Sequence, residues 1–129
     1  MKILLDTNVL LSALLTPNRK SSAILDKVLD GDIEIYYNEK IISEYKDVLS
    51  RKKFGIAKVK ISELISFIRM KGIFVFEFED SKKEFIDEMD KMFYDIALSK
   101  DSIVVTGNLK HFPKHKKVVS VDEFYRKYM

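Results

Sequence analysis

Alternation constrains this chain more than any other feature. Short apolar runs of β type are separated by stretches in which apolar residues recur at helical spacing. Lys2 to Leu5 reads as a short buried strand. Asp6-Thr7-Asn8 then offers cap chemistry to a helix carrying Val9, Leu10, Ala13 and Leu14, which Thr16-Pro17-Asn18 breaks. Ser21 and Ser22 are placed to cap a second helix reaching Asp30, with Gly31 just past its end. Ile33 to Tyr37 reads as a second strand, and Asn38 as the cap of a third helix whose Ile41, Tyr45, Val48 and Leu49 share a face. Arg51 to Ala57 is a basic connection, and a fourth helix spans Val59 to Lys71 and stops at Gly72.

Ile73 to Phe78 reads as a third, buried strand, and Phe74, Phe76, Phe78 and Phe93 are expected in the core. Glu79 to Asp87 is acidic and carries no clear period. A fifth helix begins between Asp87 and Asp90 and runs to Ser99, followed by a strand over Ile103 to Val105. Val118-Val119 is a short fifth strand, and Ser120 with Glu123 forms a capping box for a last helix, Val121 to Tyr128. Strands that alternate with helices pair in parallel through crossovers. The expected fold is therefore α/β: a three-layer sandwich whose mostly parallel sheet of four to five strands carries helices on both faces.

A chain of 129 residues fits one domain, 1–129. With 47% hydrophobic and 33% charged residues it is globular in composition, and the absence of cysteine excludes a disulfide scaffold, a thiolate zinc site and cysteine catalysis. No apolar run approaches the roughly 18 residues of a membrane span. Asp6 cuts the first apolar run too early for a signal peptide, so a cytoplasmic location without a membrane partner is expected. The net charge of +3 is too small to mark a nucleic-acid binder, but basic residues cluster at Arg51-Lys52-Lys53 and from Lys110 to Lys117.

In a parallel sheet, ligands bind beyond the carboxyl ends of the strands, where strand order reverses. Asp6 directly follows the first strand. Glu44 lies beside the apolar face of the third helix, and Asp90 precedes Phe93 and Ala97 on the inward side of the fifth. Each also has a structural reading: helix caps for Asp6 and Asp90, a rim glutamate paired with lysine for Glu44. Asp87 is a further candidate near the start of the fifth helix, whereas Asp95 falls off the Asp90–Phe93–Ala97 line and reads as solvated. Carboxylates that converge without basic partners repel, and their pKa values rise. A hard divalent cation relieves that repulsion, and oxygen-only donors select Mg²⁺ or Mn²⁺ over zinc. Such an ion polarises a phosphoryl oxygen and activates water for in-line attack on a phosphodiester.

The ordered set of motifs resembles the PIN-domain ribonucleases. Leu4-Leu5-Asp6-Thr7-Asn8-Val9-Leu10 is similar to the family's opening strand and its Asp-x-Asn turn. Ile42-Ser43-Glu44-Tyr45 resembles the second acidic segment, and Asp90 through Ala97 the third. Val104-Val105-Thr106-Gly107-Asn108 with His111-Phe112-Pro113 resembles the C-terminal strand and turn, in the form found among toxins of toxin–antitoxin pairs. The resemblance implies Mg²⁺- or Mn²⁺-dependent cleavage of single-stranded RNA, an antitoxin protein as partner and a homodimer. It carries the metal-ligand role onto Asp6, Glu44 and Asp90. Many members have Asp where this chain has Asn108, whose amide oxygen adds no negative charge.

Supporting roles follow from chemistry. Thr7 and Asn8 can hold Asp6 or a water, or serve as turn and cap residues. Thr106 at a strand end can orient water or phosphate. Arg51, Lys52 and Lys53, and Lys110 with His111, can contact RNA phosphate; His111 can equally pack on Phe112. Tyr36, Tyr37, Tyr45 and Tyr94 are assigned to the core, although one near the crevice could stack on a base. Two other functions compete. A non-catalytic RNA- or protein-binding module would be consistent with Asn108. A phosphoacceptor receiver domain would need an Asp ending its third strand and a Lys after its fifth, where this chain has Phe76-Glu77-Phe78 and Ser120.

Overall fold

The structure, a computed structural model, describes residues 1–129. Five strands form one sheet in the order β3-β2-β1-β4-β5, and every neighbouring pair is parallel. They are β1 (Lys2–Leu5), β2 (Glu34–Tyr37), β3 (Ile73–Phe74), β4 (Ile103–Thr106) and β5 (Val118–Ser120). The helices are α1 (Thr7–Leu15), α2 (Lys20–Leu29), α3 (Glu39–Leu49), α4 (Lys58–Lys71), α5 (Glu88–Ser99) and α6 (Val121–Tyr128). They cover both faces, giving the three-layer α/β/α sandwich of the expected class. No helix is long and apolar enough to cross a membrane.

The order of the strands places the reversal point. The chain moves from β1 to β2 to β3 in one direction, then crosses back through α5 to β4 on the other side of β1. The crevice between β1 and β4, at their carboxyl ends, is therefore where a ligand belongs. A receiver domain has a different order, 2-1-3-4-5, with its third strand beside the first. Here β3 is at the edge, and Glu77 to Asp80 lie outside the sheet.

The core follows the sequence pattern closely. Ile3, Leu4 and Leu5 of β1 are all buried, as are Val104 and Val105 of β4 and Ile41, Ile42, Tyr45 and Leu49 of α3. Tyr45 is fully buried, and its hydroxyl donates to the Leu5 carbonyl, so α3 is pinned to the end of β1. Burial and the Asp6 and Glu44 charges push that phenol far above its usual range. Asn38 caps α3 by accepting from the Ile41 amide at 2.9 Å, and Ser120 caps α6 by accepting from Glu123 at 3.0 Å. Gly72 lies where a Cβ would meet the Ile68 carbonyl at 2.6 Å, so only glycine lets α4 turn into β3.

Three expectations are corrected. The third strand stops at Phe74, with one further ladder-like bond from Val75 to the Tyr37 carbonyl at 2.8 Å. Its neighbour β2 ends at Tyr37 and turns into α3, so residues past Val75 have no strand to pair with. Phe76 is consequently 89% exposed, resting edge-on against Phe74, and Phe78 is also exposed. Ser21 is buried and does not cap α2; Ser22 bonds to the Arg19 backbone from inside the first turn. Asp95 is not solvated but 3% exposed: it accepts from Lys91 Nζ at 2.7 Å and from the Ser81 amide at 3.2 Å. The extended chain after β3 folds back over α5 and shuts water away from it.

Candidate active site

Asp6 stands at the reversal point because β1 ends at Leu5 and α1 begins at Thr7. It occupies the cap position of α1, but its side chain makes no cap bond. Instead the Thr106 hydroxyl, at the end of β4, donates to Asp6 Oδ2 at 2.7 Å. The same hydroxyl accepts from the Asn108 amide at 2.9 Å. Thr106 is fully buried, so its one hydroxyl joins the two central strands and shapes the turn that follows. Asn8 completes the join: its Oδ1 accepts from the Gly107 amide at 3.0 Å. A Cβ on Gly107 would stand 3.2 Å from that oxygen, which favours glycine there.

Glu44 reaches the crevice from α3. It is half-buried, and Thr7 Oγ1 donates to its Oε2 across a long 3.5 Å. Asp90 arrives from the first turn of α5, with its side chain 14% exposed and Oδ2 3.5 Å from His111 Nδ1. Asp90 is not the helix cap. Asp87 takes that place, and its Oδ1 accepts from the Met89 amide at 2.7 Å and the Asp90 amide at 3.2 Å.

The electrostatics bind these groups into one cluster. Burial, then the charges of Glu44 and Asp87, raises the Asp6 carboxyl, against the lowering pull of Thr106 and the Thr7 backbone. Glu44 is raised by burial, then by Asp87 and Asp47, with Arg51 pulling it down. Asp90 is pushed up to about 6 by burial, then by Asp6 and Asp87, while His111 opposes the rise. Asp87 acts on all three. In sequence it stands behind the other three, because a carboxylate at a helix start reads first as a cap. It is a cap, and it is also a fourth charge on the crevice.

The other predicted residues divide. Asn108 is exposed beside Thr106, and its side chain caps nothing. Lys110 and His111 lie on a short 3₁₀ turn and line a recess with Asp87, Asp90 and Phe85. Arg51 is exposed, pairs with Asp47 at 3.2 Å and is felt by Glu44. Lys52 and Lys53 are exposed on the 3₁₀ turn that leads toward α4. Tyr36, Tyr37, Tyr45 and Tyr94 are all buried, so no tyrosine presents a stacking face here.

The donor set suits a hard cation: carboxylate oxygens from three elements, an amide oxygen nearby, and few cations among them. No three acidic or histidine side chains converge tightly enough to hold an ion by themselves. Mg²⁺ does not require that. It keeps several waters and can be held through one or two carboxylates, with substrate phosphate adding further oxygens when present.

No curated protein and no solved structure matches this chain. A family model, the PIN domain, matches residues 2–110, from β1 through β4 and the turn beyond it. PIN domains are in general nucleases that use divalent metals and bind RNA. With most of its length matched, and with the acidic crevice inside the matched segment, the chain belongs to the PIN-domain family.

Proposed function

We propose that this chain cleaves single-stranded RNA as a metal-dependent endoribonuclease, with Asp6, Glu44 and Asp90 as ligands to Mg²⁺ or Mn²⁺. The observation that carries this reading is the crowding at the strand-order reversal, where three carboxyls are raised by burial and by neighbouring carboxylates, Asp87 among them in every case. A fold keeps such an arrangement at a cost in stability, and a cation offsets that cost. When bound, the ion supplies Lewis acidity toward a phosphoryl oxygen and lowers the pKa of water. Thr106 holds the Asp6 carboxylate in one orientation, and Asn8 fixes the turn that carries Asn108. Asn108 offers a neutral oxygen to a ligand, and Asp87 adds negative charge at the rim. Lys110 and His111 flank the same recess and bring positive charge to a phosphate.

The test is cleavage of a mixed single-stranded RNA pool by the purified protein in Mg²⁺, in Mn²⁺ and in EDTA, beside Asp6→Asn. Cleavage that needs metal and is lost in the variant supports the nuclease. Cleavage that survives either EDTA or the substitution contradicts it. RNA binding without cleavage under any metal would make the chain a non-catalytic module, the reading that Asn108 favours, and Asn108→Asp the next variant. The toxin role rests on the resemblance of Thr106 to Phe112. It predicts growth arrest on expression, relieved by Asp6→Asn.

A further inference from the structure

A groove of about 700 Å³ opens between α3 and α4. Its floor is Ile56, Ile61 and Ile65, and its rim carries Lys46, Arg51, Lys52, Lys58 and Arg69 with no acidic lining residue. The α4 wall is regular: Lys58, Ser62, Ser66 and Arg69 recur along one side of the helix, so cations and hydroxyls face the groove together. Arg51 pairs with Asp47, and Arg69 is bidentate to Glu39 at 2.6 and 2.9 Å. Lys46, Lys52 and Lys58 form no ion pair. The N-terminus of α4 opens on the same groove with Ala57 at its cap position, so no side chain satisfies its first amides. Arg51 belongs both to this groove and to the surroundings of Glu44.

We infer that the α3–α4 groove seats the phosphate backbone of a single-stranded RNA whose cleaved bond lies in the acidic crevice. The inference rests on the nuclease reading and assigns the strand its path. Lysine ammoniums neutralise successive phosphates, serine hydroxyls and free helix amides donate to phosphate oxygens, and none of these reads a base. The crevice carries four carboxylates against Lys110 and His111 and repels a polyanion, so most of the affinity has to come from a separate basic surface. The groove supplies it, and Arg51 stands where the two meet.

The experiment is fluorescence anisotropy of a labelled 12-nucleotide mixed-sequence RNA with the full chain in EDTA, over a series of salt concentrations. The probe variant is Lys46→Ser/Lys52→Ser/Lys58→Ser. The control, Lys82→Ser/Lys83→Ser/Lys127→Ser, removes the same charge elsewhere. The groove variant is expected to lose affinity at least about tenfold, and its salt slope to fall by about 2, three phosphates at ~0.7 each. The control is expected to stay within about twofold of the unmodified chain. Equal losses in both variants, or none in the groove variant, would overturn the inference. So would a polyglutamate peptide that binds as tightly as the RNA and is lost with the same lysines, since that would put an acidic protein segment there. Cleavage assayed in parallel separates the two readings. A chain that never cleaves but whose groove variant loses RNA refutes the nuclease alone. A chain that cleaves while its groove variant binds RNA unchanged refutes the groove alone.

Discussion

Carboxylates in the crevice and carboxylates on the outer surface of this protein behave oppositely. On the surface, Glu39, Asp80 and Asp101 are held below their usual range by hydrogen-bonded partners, Arg69, Lys91 and Lys117. In the crevice, Asp6, Glu44 and Asp90 are held above it, chiefly by burial and then by neighbouring carboxylates, Asp87 acting on all three. The chain has 23 Lys and Arg for 20 Asp and Glu, so cations are not scarce. They are placed elsewhere, and some line a groove next door. The protein neutralises its exposed acids and leaves those of the crevice crowded, and under the proposed function that place takes a cation from solution.

The largest effect expected from breaking this contrast is on cleavage. Asp6→Asn, Glu44→Gln and Asp90→Asn should each cut metal-dependent cleavage by at least about 100-fold, beyond the loss usual for an outer-shell partner. Each should keep the native circular dichroism. Unfolding of all three would assign them structural roles instead. Thr106→Val should come next. It removes the donor to Asp6 and strands the Asn108 amide, so cleavage should fall ~10–100-fold and stability by about 1–3 kcal/mol. Thr106→Ser should recover most of both, and a valine variant as active as the parent would refute the positioning role.

Stability sharpens the comparison further, because the two regions predict opposite signs. Lys91→Met removes the cation shared by Asp80 and the buried Asp95, and should lower the unfolding midpoint without lowering cleavage per folded molecule. Asp90→Asn should raise the midpoint of the metal-free protein by about 2–5 °C. Equal signs would erase the distinction.

The smallest effect is on pH dependence. Asp90 moves from 3.8 to about 6 on folding, so between those values the folded chain binds more protons than the unfolded one. Stability of the metal-free protein should therefore rise as pH falls through that window, by about 1–2 kcal/mol after allowance for solvent screening. Asp90→Asn should flatten the slope in chemical denaturation. Asp6 and Glu44, also raised, leave a residual slope, so a slope unchanged from the parent would place the proton elsewhere.

Much of this arrangement was legible in the residues, for physical reasons. A short apolar run ended by Asp6 marks a buried parallel strand and its exit, and the Ser120–Glu123 pair marks the start of α6 at the observed residue. Glu44 and Asp90 stand out in the sequence because an acid on the inward side of a helix needs an explanation, and both side chains reach the crevice. What escaped depended on tertiary closure. Phe76 reads as core until β2 is seen to end at Tyr37. Asp95 reads as solvated until the chain after β3 folds over it and Ser81 donates to it. Asp87 hid behind its cap role, and Lys46 and Lys58 join Arg51 and Lys52 only once α3 and α4 lie side by side.

The central claim is that the crevice acids form a cation site, and its most direct test is Mn²⁺ titration followed by electron paramagnetic resonance. At neutral pH without RNA, the protein should remove the free-ion signal saturably, and both Asp6→Asn and Asp90→Asn should abolish that binding. Binding that survives both substitutions, or no saturable binding to the unmodified chain, would contradict the claim.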